Sequence, residues 1–326
     1  MAKARSVDAK LSRLRLLRTE PVSPSLLAGL RDCLGDKSNL VVAEAAEIVG
    51  ERMLVDFGPE LVAAFQRFMI DPVDTDKLCR AKIAIVDALH KIEFDAEDLF
   101  RAALRHVQME PRWGGSDDTA APLRGGAAFA LVRVNPRDLV ILLADLLADK
   151  EKVARSSAAR ALGASGTLAA IPLLRLKARV GDAEPEVIAE CLNALVSADS
   201  AASVPFVGQF LESSSEEIAE GAALALAESR RADALEILKR HWPKTRTESL
   251  QNVLLLAIAI TRLPAGVDFL IEILAAADES AAPAALSALA IHRHNPAVRD
   301  RVAAIVAKRR DAELQKRFDK EFRTPE

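Results

Sequence analysis

The sequence predicts an all-α protein made of repeated helical hairpins, and three observations predict it. Of 326 residues, 60 are Ala and 44 are Leu; both enter a helix at low cost, and Ala lets neighbouring backbones approach closely. Aromatic residues are scarce, with 11 Phe, 2 Trp and no Tyr, which argues against strand-rich folds. Third, a buried-type pair recurs as Ala130-Leu131, Ala161-Leu162, Ala194-Leu195, Ala225-Leu226, Ala257-Ile258 and Ala288-Leu289, at a nearly constant sequence step. A regular period of this length, between about 20 and 50 residues, is the signature of stacked repeats.

A basic helix over 6–18 opens the chain and covers the first hairpin. Paired helices follow over 24–34 with 40–53, 59–70 with 77–92, and 96–108 with 123–134. Ile48, Leu89 and Leu131 hold equivalent second-helix positions there, at distinctly longer steps. From 139 the period tightens: Leu139, Leu142, Leu143, Leu146 and Leu147 share one face, and a polar joint leads to a second helix over 153–164. The plan repeats over 168–180 with 185–196, 203–211 with 216–227, 232–241 with 248–261, and 266–276 with 280–292. Gly163, Asp182, Ser213, Pro243, Pro264 and Pro296 punctuate the joints. A tail over 297–322 closes the last hairpin, with Val302, Ile305, Val306, Phe318 and Phe322 inward.

Length alone suggests about two domains. Hairpins that bury their faces on their neighbours instead suggest a single elongated array over 1–326. It comprises an N-terminal cap (1–23), irregular repeats (24–135), regular repeats (136–295) and a C-terminal cap (296–326).

Leu142-Leu143, Leu146-Leu147, Asp149, Val153, Arg155, Ala158-Ala159 and Ala161-Leu162-Gly163 carry a resemblance, as do Ile171-Pro172-Leu173-Leu174 with Asp182 and Val187. In these residues the chain resembles the HEAT-repeat family, particularly the short HEAT-like units also found in phycobilin lyases. The resemblance is strongest over 136–295 and looser over 24–135. It implies a right-handed α-solenoid, an armadillo/HEAT-like superhelix of about eight hairpins with capping end helices, whose second helices line the concave surface. It implies little about chemistry, because the shared residues make packing and turns.

Net charge is −3, so no strong global field draws nucleic acid or membrane. Cys33, Cys79 and Cys191 are scattered, with no CxxC spacing among them, which reads as core packing in a reducing compartment. The N-terminus lacks a secretory apolar segment, and the longest apolar run, 253–260, spans eight residues where a bilayer needs about 20. A cytoplasmic protein without a membrane span is expected.

With each Ala-Leu pair buried, the residues two, six and nine before the Leu fall on the opposite face. They are Val153, Ser156 and Arg160; Glu186, Ala189 and Asn193; Glu217, Glu220 and Leu224; Ser249, Asn252 and Leu256; and Ser280, Pro283 and Ser287. This stripe is small, polar and acidic at its centre. A nucleic-acid groove would need cations and stacking aromatics, so no nucleic acid is expected. Glu186, Asn193, Glu217, Glu220 and Asn252 are candidates for touching a protein or peptide partner, against the alternative of a solvated helix face. Basic residues gather at the ends, six against two acids in 1–20 and six against one in 281–310, as polar outer faces of end helices.

The joint over 109–122 runs to about a dozen residues where most need two to six, and long joints in compact arrays tend to carry function. Arg112, Trp113, Asp117, Asp118 and Arg124 make an aromatic anchor flanked by charge, a plausible binding hot spot. The alternative is that Trp113 plugs the gap where the period changes while Asp117, Asp118 or Thr119 caps the next helix. Gly125-Gly126 reads as close helix packing. His292-Arg293-His294 would diverge on a helix, and no HExxH, CxxC or calcium loop occurs, so neither metal nor cofactor is assigned. Acids near joints, among them Asp71, Asp74, Asp76 and the Glu216-Glu217 pair, read as caps. No catalytic residue is nominated. The expectation is a non-catalytic protein-binding scaffold; the alternatives are a phycobilin-lyase-like accessory protein or enzyme, and a nucleic-acid-binding HEAT-like protein.

Overall fold

The computed structural model describes residues 2–276 and 281–323, so Ser280 of the expected stripe lies outside the described residues. The chain divides into two compact units, 1–165 and 166–326, each described by itself.

The first unit runs α1 (Ala2–Leu17), α2 (Pro24–Leu34), α3 (Asn39–Glu51), α4 (Gly58–Phe68), α5 (Pro72–Thr75), α6 (Arg80–Lys91), α7 (Glu97–Arg105), β1 (Met109–Arg112), β2 (Gly115–Asp118), α8 (Ala121–Val134), α9 (Leu139–Leu147) and α10 (Lys152–Ala164). Its second helices stack in order, α3 on α6, α6 on α8 and α8 on α10. Ile48, Leu89, Leu131 and Leu162 are fully buried in that stack. Gly125 makes the α8–α10 approach, since a Cβ there would meet Ser157 Oγ at 2.5 Å.

The second unit runs α11 (Ala170–Val180), α12 (Pro185–Ala198), α13 (Ser200–Val207), α14 (Glu216–Glu228), α15 (Ala232–His241), α16 (Glu248–Ile260), α17 (Pro264–Ala276), α18 (Ala281–Leu289), α19 (Pro296–Arg309) and α20 (Ala312–Glu321). Here α12, α14, α16, α18 and α20 stack in order. Leu195, Leu226, Ile258 and Leu289 are fully buried, at the positions that the repeat period marks.

The joints follow one chemical rule. Asp36, Asp118, Asp149 and Asp182 each accept a backbone N–H two residues on, from Ser38 at 2.7 Å, Ala120 at 3.0 Å, Glu151 at 2.8 Å and Glu184 at 2.9 Å. Each such carboxylate satisfies a backbone donor near a helix start, where it also suits the dipole. In the first unit a base six residues later returns to the joint. Lys82 meets Asp76 at 3.0 Å, Arg124 meets Asp118 at 2.7 Å, and Arg155 donates to the Asp149 carbonyl at 2.9 Å. Asp76 also accepts from the backbone N–H groups of Ala81 and Lys82, the capping role expected of it.

Three local differences from the sequence expectation stand out. The helix expected over 96–108 ends at Arg105, because the chain turns into a β-hairpin. The helix expected from 77 starts at Arg80, after Leu78 and Cys79 at φ 62° and 51°. The tail over 297–322 breaks at Arg310 (φ 54°) into α19 and α20. Among the described residues no helix is long and apolar enough to cross a membrane.

Candidate partner-binding site

The hairpin of the first unit is built from a two-residue loop, Trp113-Gly114, with Gly114 at φ 84° where a side chain would be strained. Met109 pairs with Asp118, Glu110 with Asp117, Pro111 with Ser116, and Arg112 with Gly115. Alternation sorts the side chains onto two faces. One face is polar: Gln108, Glu110 and Arg112, with Asp117 and Thr119 opposite.

Its lower half is fastened to the unit by hydrogen bonds. Glu110 Oε1 accepts from the Leu78 N–H at 2.6 Å, Gln108 Nε2 at 2.7 Å and Thr119 Oγ1 at 2.8 Å. Burial opposes ionisation of Glu110, and these donors outweigh it, holding its carboxyl below the usual range. Gln108 is itself buried, donating to the Asp76 carbonyl at 2.8 Å and accepting from Cys79 Sγ at 3.1 Å. Arg112 and Asp117 pair at 3.0 Å nearer the tip and stay exposed.

The other face of β1 is apolar and faces solvent. Val107 is 58% exposed, Met109 49% and Trp113 102%, with Pro111 exposed between them. A period-two strand ordinarily turns its apolar side to the core; this one turns its polar side there. Trp113 therefore plugs no gap. Val107, Met109 and Pro111 were not nominated from sequence, although apolar residues at 107, 109, 111 and 113 alternate with polar ones in the run His106 to Arg112. That alternation is the signal that could have found them.

Asp118 and Arg124 hold the hairpin rather than face solvent. Asp118 Oδ1 accepts from the Gln108 N–H at 3.0 Å and from the N–H of Ala120, the residue before α8, rather than from an N–H of the helix itself. Arg124, 3% exposed, donates to Asp118 Oδ2 at 2.7 Å, the His106 carbonyl at 2.8 Å and Asp149 Oδ1 at 2.9 Å.

The remaining nominated residues lie in the second unit. Glu186, Asn193, Glu217 and Asn252 are all exposed on its surface. Glu220 is half-buried and accepts from Ser249 Oγ at 3.0 Å, tying α14 to α16. Ser215 Oγ donates to Glu217 at 2.7 Å and lowers its pKa. A groove of about 520 Å³ between α16, α18 and α20 is lined by Asn252, Leu256, Pro283, Ser287 and Arg317. In the first unit a groove of about 420 Å³ is lined by Leu78, Arg80, Ile83, Asp87 and Pro122. Ser156 departs from the expected stripe, being buried.

Among the described residues no three or more His, Cys, Asp or Glu side chains gather as a metal site. The thiols of Cys79 and Cys191 are buried, which pushes them up to about 11 and about 12; they are poor nucleophiles at neutral pH. His292 Nε2 lies 3.2 Å from the Ala259 carbonyl, a structural bond.

Residues 175–259 match the HEAT-repeat family. Among solved structures, the CpcE–CpcF complex of phycocyanin lyase from Nostoc is 19% identical, with 93% of this chain and 96% of that chain covered and a TM-score of 0.38. A mutant of Kap121p is 13% identical over 96% of this chain and 43% of that chain, with a TM-score of 0.50. Human deoxyhypusine hydroxylase in complex with glycerol is 17% identical over 86% and 96%, with a TM-score of 0.31. At 13% identity the likeness to Kap121p is one of fold, a helical-repeat solenoid. No curated sequence matches the chain.

Proposed function

From a chain of HEAT repeats, we propose a non-catalytic, cytoplasmic scaffold that binds a protein or peptide. The hairpin contributes Arg112, Trp113 and Asp117 as contacts, with Asp118 and Arg124 as their support. The second unit contributes Glu186, Asn193, Glu217, Glu220 and Asn252.

One observation carries the reading: a fully exposed Trp113 continues the exposed apolar row of Val107, Met109 and Pro111 on a hairpin whose polar side is fastened by hydrogen bonds, those of Gln108 to Asp76 and Cys79 being buried. Rigid support lowers the ordering cost of binding. Burying a Trp removes about 200 Å² from water, worth on the order of 5 kcal/mol before association costs. The acids Glu186, Glu217 and Glu220 on the second-unit stripe support a protein partner over nucleic acid.

The test is affinity purification from the source cells followed by mass spectrometry, comparing wild type with a Trp113→Ala/Met109→Ala variant. A specific protein partner is expected with wild type and is lost in the variant at unchanged helicity. Identical partner sets, or steep salt-dependent retention on heparin, would count against the proposal.

A further inference from the structure

We infer that the outer edge of β2 accepts an extended peptide strand from a partner, which adds a third strand to the hairpin. This rests on the reading of the hairpin as a binding element and names the form of its partner.

The two edges of the hairpin are unlike. Thr119 N–H donates to the Gln108 carbonyl at 2.9 Å, so hydrogen-bonded pairs alternate from there to Glu110/Asp117 and Arg112/Gly115. Pro111 and Ser116 therefore form a pair whose main-chain groups point outward. On β1 that outward position is a proline with no N–H, which closes the edge at its centre. On β2 it is Ser116, exposed, with both an N–H and a carbonyl directed to solvent.

Edges are commonly blunted by Lys, Pro or a bulge. The β2 sequence Gly115-Ser116-Asp117-Asp118 contains none of these. Beside the edge, Val107, Met109, Pro111 and Trp113 offer apolar surface on the face that Ser116 shares with Pro111. A strand laid along β2 would gain main-chain hydrogen bonds from the edge and side-chain burial from that face, the two components of strand addition.

Charge selects the occupant. Asp118 is held by Arg124, so the exposed charge of the edge strand is Asp117, beside Arg112, and a second copy laid against it would bring another such acid to the same face. A strand with Lys or Arg on the Asp117 face and apolar residues on the Ser116 face complements both sides.

The test pans a displayed library of random dodecapeptides against the full-length protein, then titrates the enriched peptides against four forms. These are wild type, Ser116→Pro, Ser116→Ala and Trp113→Ala. Pro111 already occupies the cross-strand position, so proline at 116 deletes the outward donor while the pairing of Glu110 with Asp117 is kept. Enriched peptides with alternating apolar and basic residues are expected. Ser116→Pro should bind them about tenfold more weakly and Ser116→Ala within about twofold. Hydrogen exchange supplies a reading independent of that variant, because the Ser116 amide of wild type should gain protection when peptide binds.

Absence of enriched peptides, unchanged Ser116 exchange, or wild-type affinity in Ser116→Pro would overturn the inference. So would a concentration-dependent doubling of mass in the protein alone that is lost in Ser116→Pro. If Trp113→Ala loses binding while Ser116→Pro keeps it, the edge is wrong and the hairpin reading stands. Unchanged binding by both variants would sink both.

Discussion

Arg124 fixes the hairpin more firmly than any residue at its tip. Its guanidinium joins the carboxylates of Asp118 and Asp149 and the carbonyl of His106. Burial opposes its charge, but the hydrogen bonds to Asp149 and Asp118 outweigh burial and hold its pKa above the ordinary value. Arg124→Met would strand two carboxylates in a buried place, so a loss of about 3–5 kcal/mol is expected in denaturant unfolding. Lysine would not rescue it, since one ammonium cannot replace a fork. Asp118 is the partner to titrate. Burial raises its pKa, while the Gln108 and Ala120 N–H groups and Arg124 lower it further, for a net depression. A depressed carboxylate stabilises the fold above its unfolded pKa of about 3.9 and loses that contribution as pH falls through the lower folded value. Unfolding followed down from about pH 5 should show the loss only below about pH 4, and Asp118→Asn should flatten it. Trp113→Ala, by contrast, should leave stability within about 0.5 kcal/mol, because the side chain is fully exposed.

Among the elements, helices were legible in the sequence and the hairpin was not. The alternation from His106 to Trp113 is present, but a run this short competes with a helical reading that Ala102 to Leu104 had already begun. Its apolar side also faces outward, which reverses the usual inference from pattern to core. Arg124 was legible as a residue of interest but not as a buried one, because its two acids, Asp118 and Asp149, come from separate joints at the two ends of a helical hairpin. Gly125 was legible as a packing glycine, whereas the need for Gly221 shows only in three dimensions. A Cβ on Gly221 of α14 would lie 2.5 Å from Ala189 Cβ and 3.1 Å from its Cα on α12. Alanine improves helix propensity by about 1 kcal/mol, yet here it meets backbone that cannot swing aside. Overpacking of about 1–3 kcal/mol should win, so Gly221→Ala is expected to lower the melting temperature, and a rise would refute the packing argument. In the hairpin, Gly114→Ala should cost about 1–2 kcal/mol locally because φ is 84°. Faster amide exchange at Asp117 and Thr119 would report it.

At the scale of the whole chain, the period of buried Ala-Leu pairs made the repeats legible, because each second helix must present one small and one branched residue to its neighbours. The division at 165/166 was not legible. The longest of the regular steps, from Leu162 to Leu195, spans it, and a period counts buried positions without reporting where contacts divide. The stacking order within each unit has a consequence for stability. In the second unit α14 lies between α12 and α16, and α16 between α14 and α18, whereas α20 packs chiefly on α18 and α19. In the first unit α6 and α8 are flanked on both sides, and α1 packs chiefly on α3 and α2. Repeat stability is close to a sum of intrinsic and nearest-neighbour terms, so an end helix can open after losing one neighbour's contacts and an inner one cannot. Native-state hydrogen exchange should therefore be slowest in α14 and α16 of the second unit and in α6 and α8 of the first. Rates should rise towards α20 and α1 by several orders of magnitude, since local opening spans near zero to the full unfolding energy. Equal protection of α20 and α14 would show that the unit opens as one cooperative block, contrary to the nearest-neighbour account.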